Sequence, residues 1–172
     1  MKQTIFYSLL SLCLLASASL LAQDKKPMAS PPATAEGTMD GVKVKIDYHQ
    51  PSAKGRKIMG GLVPYDKVWR TGANASTSIE FDKNVKVNGK SLAKGKYALF
   101  TIPTEKEWTI IFNSSIKWGS MSYKENEDVL RVSGVKSSKT EFTEMFTISI
   151  EGSNIIMKWE NTSVTFAITA DK

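Results

Sequence analysis

The segment 68–74, which reads Val-Trp-Arg-Thr-Gly-Ala-Asn, contains the side chains best suited to binding a ligand. The guanidinium of Arg70 offers a planar fork of donors to carboxylates or sugar hydroxyls, and the Asn74 amide can both donate and accept. Aromatic faces nearby would add apolar contact area, a combination that suits sugars and peptides. In a second interpretation, Arg70 only bonds loop carbonyls or a buried acid. The predicted ligand-binding loop cluster consists of Trp69, Arg70, Asn74, Trp118 and Tyr123.

Nucleophilic and metal-binding side chains are scarce. His49 is the only histidine and Cys13 the only cysteine. Any cation would therefore need oxygen ligands, and no Asp-rich loop offers them. A serine hydrolase would have to use His49 as its base, but no nucleophile elbow is present. The sequence assigns no catalytic residue, no metal ligand and no cofactor.

Carboxylates are the remaining route to catalysis, because glycosidases use a pair of them roughly 5 to 10 Å apart. Most of the acidic residues alternate with apolar residues or lie in polar loops, which indicates a solvated face. A hydrolase that uses such a pair stays open as an alternative. The candidates are Asp47, Glu80, Asp82, Glu105, Glu107, Glu125, Glu127 and Asp128.

The sequence Asn88-Gly89-Lys90-Ser91 ends like a phosphate-binding loop, but Asn84 replaces the upstream glycine and no helix is predicted to follow. We interpret it as a hairpin turn. The lysines around this hairpin are typical of the protection of an exposed strand edge, so no nucleic-acid partner is predicted. They are Lys83, Lys86, Lys90, Lys94 and Lys96.

The N-terminal 22 residues predict a secretory signal peptide. Lys2 gives a positive start, residues 5–22 are apolar or small, and Ala22 precedes a polar stretch, so we expect cleavage after Ala22. A lipoprotein attached at Cys13 and an uncleaved membrane anchor are the alternatives. Cleavage would place the protein in the periplasm or outside the cell, without a membrane span and without cysteine.

The processed chain divides into a linker and one domain. Residues 23–35 are rich in proline and small residues and predict a flexible linker, and residues 36–172 predict the domain. Loss of Lys2 with the signal reduces the basic residues from 23 to 22 against 17 acidic residues, a net charge of about +5. Such a charge favours solubility and specifies no partner.

Short apolar or alternating runs recur about every ten residues and predict an all-β domain with little helix. We expect an antiparallel two-sheet sandwich or a jelly-roll-like fold of eight or nine strands. Asn88-Gly89 predicts a type I′ turn, and Glu160–Thr162 predicts a further hairpin turn. The segments least like strands are Gly55–Pro64 and Ile116–Asn126, which we interpret as loops. Loops carry functional residues more often than strands do. The predicted strands include Val42–Tyr48, Thr77–Phe81, Val85–Val87, Tyr97–Ile102, Trp108–Phe112, Val129–Val132, Phe142–Ile150, Ile155–Trp159 and Val164–Ile168.

The chain resembles a family of exported bacterial domains of unknown function over about residues 30–168. The resemblance is carried by Lys54-Gly55-Arg56, by the segments 60–65 and 68–74, and by the strands 95–103 and 108–113. Asp66 and Met59 stand where glycine and a bulky aromatic residue are common in that family. The resemblance implies an exported β-rich module with no assigned activity, so it offers no catalytic residues to carry over to this chain.

Three functions remain open at this point. The first is non-catalytic binding of a glycan, a peptide or an envelope protein. The second is a carboxylate-dependent hydrolase acting on envelope or polysaccharide material, and the third is a purely structural envelope domain. Acids that converge in a cleft would favour the hydrolase, and exposed aromatic rings would favour the glycan binder.

Overall fold

The computed structural model describes residues 28–117 and 123–172, so the predicted signal peptide lies outside the described residues. The described residues form nine strands and a single 3₁₀ turn, Glu125–Glu127. The strands are β1 (Pro32–Met39), β2 (Val42–His49), β3 (Ser78–Phe81), β4 (Val85–Val87), β5 (Lys90–Leu92), β6 (Gly95–Pro103), β7 (Glu107–Asn113), β8 (Asp128–Glu151) and β9 (Asn154–Ala170). Neighbouring strands are antiparallel, and the order is β1-β2-β3-β6-β7-β8-β9-β4-β5. The all-β prediction is confirmed.

One continuous sheet supplies both layers of the predicted sandwich, because β8 is long enough to belong to both. Its first part, from Asp128 to Lys136, pairs with β7, and its remainder pairs with β9. The rings of Tyr48 in β2 and Phe146 in β8 meet edge to face at 5.8 Å, although three strands separate β2 from β8 in the sheet. The sheet therefore folds over and encloses its own apolar face.

The prediction of a hairpin turn at Glu160–Thr162 was wrong, because β9 runs straight through it. Glu160 has a φ of 53°, and the register between β8 and β9 shifts twice nearby, as in a β-bulge. A single left-handed residue bends a strand without reversing it. Gly134, with a φ of 75°, likewise leaves β8 continuous where separate strands were predicted.

β1 begins at Pro32 and so includes the last four residues of the predicted linker. It pairs with β2 along its whole length across the turn Asp40–Gly41, where both φ values are positive (48° and 75°). This is the signature of a type I′ hairpin. The alternate positions Ala33, Ala35 and Gly37 are half-buried and small, so the sequence of β1 lacks the strong apolar alternation that marks β2.

The second hairpin matches its prediction. Asn88 and Gly89 have φ values of 44° and 85°, and Val87 pairs with Lys90 across them. The predicted strands Tyr97–Ile102 and Trp108–Phe112 lie within β6 and β7, which pair as a hairpin. Lys90 therefore lies on β5, which is the edge strand at this end of the sheet.

The main core lies between the two layers, and its largest buried side chains include Trp159, Phe81, Phe112 and Phe166. A smaller apolar cluster lies on the other face of β6 and β7, because neighbouring strand residues point to opposite faces. We call it the outer cluster. It consists of buried Ala98, Phe100 and Ile111 with partly buried Val68, Ile102 and Tyr123. No helix among the described residues is long and apolar enough to cross a membrane.

Candidate functional site

A tight turn at residues 57–63, between β2 and β3, forms one wall of a cleft. The main-chain N–H of Gly61 donates to the Ile58 carbonyl, and that of Leu62 donates to the Lys57 carbonyl. A Cβ atom on Gly61 would lie only 2.4 Å from the Lys57 carbonyl oxygen. The turn can close in this way only because residue 61 has no side chain.

Tyr65 lies directly against this turn. A Cβ atom on Gly60, whose φ is 72°, would come within 2.6 Å of the Tyr65 ring, so the ring occupies the space that the glycine leaves. The main-chain N–H of Asp66 donates to the Pro103 carbonyl at 2.9 Å. Asp66 itself has a φ of 59°, a conformation that glycine adopts at less cost.

Three further segments complete the cleft, which has a volume of about 290 Å³. The turn between β6 and β7 contributes Thr104 and Glu105. The middle of β8 contributes Ser137–Lys139, and the bulge of β9 contributes Glu160–Thr162. The cleft shares Tyr65, Thr104 and Glu105 with a more open groove of about 610 Å³, so it continues along the surface.

Glu160 connects two walls of the cleft. One of its carboxylate oxygens, Oε2, accepts a hydrogen bond from the Ile58 N–H at 3.3 Å, which ties β9 to the glycine turn. Burial, together with the negative charges of Glu105 and Glu160, raises the pKa of the Tyr65 phenol above its ordinary value of 10. The phenol therefore keeps its proton at neutral pH and can donate it to an oxygen of a ligand.

The bulge in β8 also carries an exposed aromatic ring. The side-chain amide of Asn161, a cleft residue, donates to the Thr140 carbonyl at 3.3 Å. Phe142 lies two residues further along the same bulge, and 57% of its surface is exposed. An exposed Phe at a bulge makes no contribution to a core, so its ring is free to contact a ligand or a partner.

Trp69, which the sequence placed in a ligand-binding cluster, packs against the main core. Its ring stacks on Trp159 at 5.8 Å and meets Phe146 and Trp108 edge to face at 5.1 and 6.1 Å. Its backbone exchanges hydrogen bonds with Thr101 of β6 at 2.7 and 2.9 Å. These contacts give Trp69 a structural part in the fold.

Arg70 and Asn74 do come together. The Arg70 Nη1 donates to the Asn74 carbonyl at 3.2 Å, and the Asn74 side chain donates to the Ser30 carbonyl at 3.2 Å. The intervening Thr71 is fully buried with a φ of 54°, an unusual conformation for a β-branched residue. Its carbonyl accepts a short hydrogen bond, 2.6 Å, from the Thr77 hydroxyl. The loop is thus a tightly bonded corner.

Tyr123 belongs to the outer cluster, where its ring meets Phe100 at 5.1 Å. Its hydroxyl donates to Asp128 at 2.7 Å and accepts a hydrogen bond from Arg131. Asp128 also accepts from Asn113 at 2.8 Å and from the Arg131 Nε at 2.6 Å. We call these four residues the Asp128 network. Trp118, the last member of the predicted cluster, lies outside the described residues.

The region that contains both the cleft and the Arg70 loop matches a known family. The family model described as "Protein of unknown function (DUF2911)" covers residues 30–168. The chain belongs to the DUF2911 family. Searches of curated proteins and of solved structures gave no significant match. In this DUF2911 domain no three His, Cys, Asp or Glu side chains of the described residues are grouped so that they could hold a metal ion.

The cleft of the DUF2911 domain was not predicted as a site from the sequence. The sequence does point to the first wall of the cleft, because Gly55–Pro64 is predicted to be a loop and contains the glycine against which Tyr65 packs. Nothing in the sequence marks Ser137–Lys139 as part of a site, and Glu160–Thr162 predicts only an ordinary hairpin turn. Their contribution depends on the bends of β8 and β9, which bring residues distant in sequence together.

Proposed function

We propose that this DUF2911 domain is an exported, non-catalytic module that binds a glycan in the cleft between the glycine turn, β8 and the β9 bulge. The observation that carries the proposal is the collection of polar groups in one concavity. A phenol, hydroxyls, an amide, ammonium groups and carboxylates converge there from four separate segments of the chain. Ligand sites commonly combine such a concavity with a few convergent polar groups.

The chemistry of the lining favours a polyhydroxylated ligand. Charges of both signs are present, with Lys57 and Lys139 facing the same cleft as Glu105 and Glu160, so no single ligand charge is selected. Sugar hydroxyls both donate and accept, and they can bond to all of these groups. Phe142, two residues from the Thr140 carbonyl that Asn161 bonds to, has an exposed ring of the kind that stacks on a sugar.

The test is a glycan array followed by calorimetric titration of the best ligand. Tyr65→Phe removes one donor but keeps the ring against Gly60, so we expect the fold to persist and the affinity to fall about fivefold to tenfold. Tyr97→Phe is the matched control, because the Tyr97 hydroxyl bonds to the Ala93 carbonyl and lies outside the cleft lining. The proposal is wrong if no glycan binds, or if both variants bind as the unsubstituted domain does.

A hydrolase is the second candidate, because Glu105 and Glu160 line one cleft and glycosidases use paired carboxylates. The two functions are separated by incubating the domain with the bound glycan and measuring new reducing ends. We expect none from the binding module. Release that is abolished in Glu160→Gln while binding persists would instead establish the hydrolase.

Export is part of the proposal and rests on the predicted signal peptide and on the resemblance to exported domains. Mass spectrometry of the protein recovered from its native host should give a chain that begins at Gln23. A chain that keeps residues 1–22, or a lipid attached at Cys13, would contradict this part of the proposal.

A further inference from the structure

β1 is an edge strand whose outer side has no partner among the described residues. The Gln50 N–H donates to the Pro31 carbonyl at 2.9 Å, and Met39 pairs with Val42 across the two-residue turn. In an antiparallel pair, alternate residues direct both main-chain groups at the partner strand. The main-chain N–H and C=O groups of the odd-numbered residues of β1 therefore point toward β2.

The even-numbered residues direct their main-chain groups outward. These are Thr34, Glu36 and Thr38, together with Pro32, which has no N–H to offer. Their side chains are exposed. Glu36 is the only charged residue on this strand, so the edge lacks the lysines that commonly discourage pairing with another chain.

The opposite edge of the sheet is different. β5 has only three residues, and it carries Lys90, whose Nζ donates to the Arg131 carbonyl of β8 at 3.1 Å. A short edge that is covered by a lysine is protected against strand addition. β1, with eight residues, is long enough to hold a partner strand.

The apolar core is also incompletely covered beside β1. Ala33, Ala35 and Ile150 are only partly buried, although they pack against the main core. A Cβ atom on Gly37 would lie 3.2 Å from the Ile150 side chain, so β1 and β8 are already in contact at this edge. A strand added to β1 would cover these side chains.

We propose that β1 pairs with β1 of a second copy of this chain, antiparallel, with the two-fold axis at Ala35. In this register Thr34 of one copy lies opposite Glu36 of the other, and the two exchange main-chain hydrogen bonds. An axis at Glu36 would place two carboxylates opposite each other, which is destabilising. The Ala35 side chains meet at the axis and extend the apolar face across the interface.

The dimer is weak. A single pair of eight-residue strands buries less than the roughly 800 Å² per partner of standard stable interfaces. Sedimentation velocity of the processed protein should therefore show a mass that rises from monomer to dimer over about 1 to 500 μM, since interfaces of this size bind weakly. A monomer throughout this range overturns the proposal, whether or not β1 accepts some other peptide.

Proline substitutions test the strand itself. Thr34→Pro and Thr38→Pro each remove an outward N–H and spare the main-chain bonds to β2, because proline is tolerated where the N–H of an edge strand faces solvent. Thr34→Pro also removes the hydrogen bond that the Thr34 hydroxyl donates to Asp47 of β2 at 2.9 Å, and Thr34→Val removes the same bond. We expect both variants to stay monomeric with unchanged circular dichroism. Thr34→Val is the matched control, since it changes the same side chain but keeps the N–H, and it should still dimerise. Proline variants that dimerise like the unsubstituted protein overturn the proposal.

Cross-linking tests the register without depending on proline. On a Cys13→Ser background, Ala35→Cys places two thiols opposite each other at the axis and should give a disulfide-linked dimer on mild oxidation. Ala33→Cys lies two residues from the axis and should cross-link far more slowly. Equal cross-linking of the two variants, or none, contradicts the register.

Discussion

The Asp128 network allows a stability prediction with a built-in comparison. The Asp128 carboxylate is 7% exposed and accepts hydrogen bonds from the side chains of Asn113, Tyr123 and Arg131. Asp128→Asn keeps the shape but removes the charge and replaces one acceptor oxygen with a donor. If the new amide nitrogen takes the place of Oδ1, the Asn113 amide, which is 1% exposed, loses its acceptor where water cannot replace it.

The expected loss of unfolding free energy is about 2 to 3 kcal/mol, because hydrogen bonds to a charged group contribute about 1.5 to 3 kcal/mol and a stranded buried donor costs a similar amount. The full 3 to 5 kcal/mol of a broken buried ion pair is not expected, since Arg131 is 33% exposed and can be hydrated. Glu125→Gln is the control. Glu125 pairs with the same Arg131 at 3.2 Å but is 76% exposed, so its loss should cost less than about 1 kcal/mol.

Urea unfolding followed by tryptophan fluorescence measures both variants against the unsubstituted domain. For a domain of this size the Asp128→Asn effect corresponds to a fall in Tm of about 4 to 12 °C. Equal effects of Asp128→Asn and Glu125→Gln would refute the reasoning, because burial would then not decide the strength of the network. The slope of the unfolding free energy against urea concentration should be the same in both variants and in the unsubstituted domain, so that the change in midpoint reports a change in stability.

Three further predictions concern other parts of the domain. Burial and the hydrogen bond to Asp128 raise the pKa of Tyr123 from 10 to about 12. The contribution of its protonated phenol to the free energy of unfolding is therefore complete below pH 10 and lost as the pH rises to about 12. In urea titrations, the free energy of unfolding should fall more steeply over this pH range in the unsubstituted domain than in Tyr123→Phe. Gly61→Ala should cost about 1 to 3 kcal/mol in the same assay, since its Cβ atom would meet the Lys57 carbonyl oxygen at 2.4 Å. Trp69→Ala should lower the free energy of unfolding by about 3 to 5 kcal/mol, because Trp69 packs against the core. Arg70→Ala should lower it by only about 1 to 2 kcal/mol, because Arg70 makes one hydrogen bond to a carbonyl. Similar losses for the two variants would contradict these placements.

The local features of the fold could be read from the sequence where two signals agreed. The alternation of Val42–Tyr48 specifies one buried face, and Asn88-Gly89 specifies a turn whose φ values only such residues readily adopt. Asp40-Gly41 has the same chemistry as Asn88-Gly89, but the inner side of the strand before it carries Ala33, Ala35 and Gly37 and only one large apolar residue, Met39, so the sequence does not mark this strand. The hydrophobic pattern identifies a strand only when its inward residues are large.

The continuity of β8 and β9 could not be read from the sequence for a different reason. Glu160 and Gly134 interrupt the apolar alternation, and an interruption looks the same whether the chain turns back or continues through a bulge. What decides between them is the partner strand. β9 continues because β8 offers it a neighbour on both sides of Glu160, and that information lies in pairing between residues far apart in sequence.

The same limit applies to the two candidate sites. The side chains of Arg70 and Asn74 have the richest hydrogen-bonding capacity, but the conformation of Thr71 between them is unfavourable. It is held by the bond that the Thr77 hydroxyl donates to the Thr71 carbonyl and by the bond that the Thr71 hydroxyl donates to Thr101. Part of that capacity is used inside the loop, where Arg70 bonds to the carbonyl of residue 74. The cleft residues carry ordinary side chains, and several of them bond to main-chain groups, as Ser137, Asn161 and Glu160 do. What distinguishes them is that four separate segments of the chain bring them to one concavity. A binding surface needs polar groups gathered in one place, and the composition of a segment does not report that property.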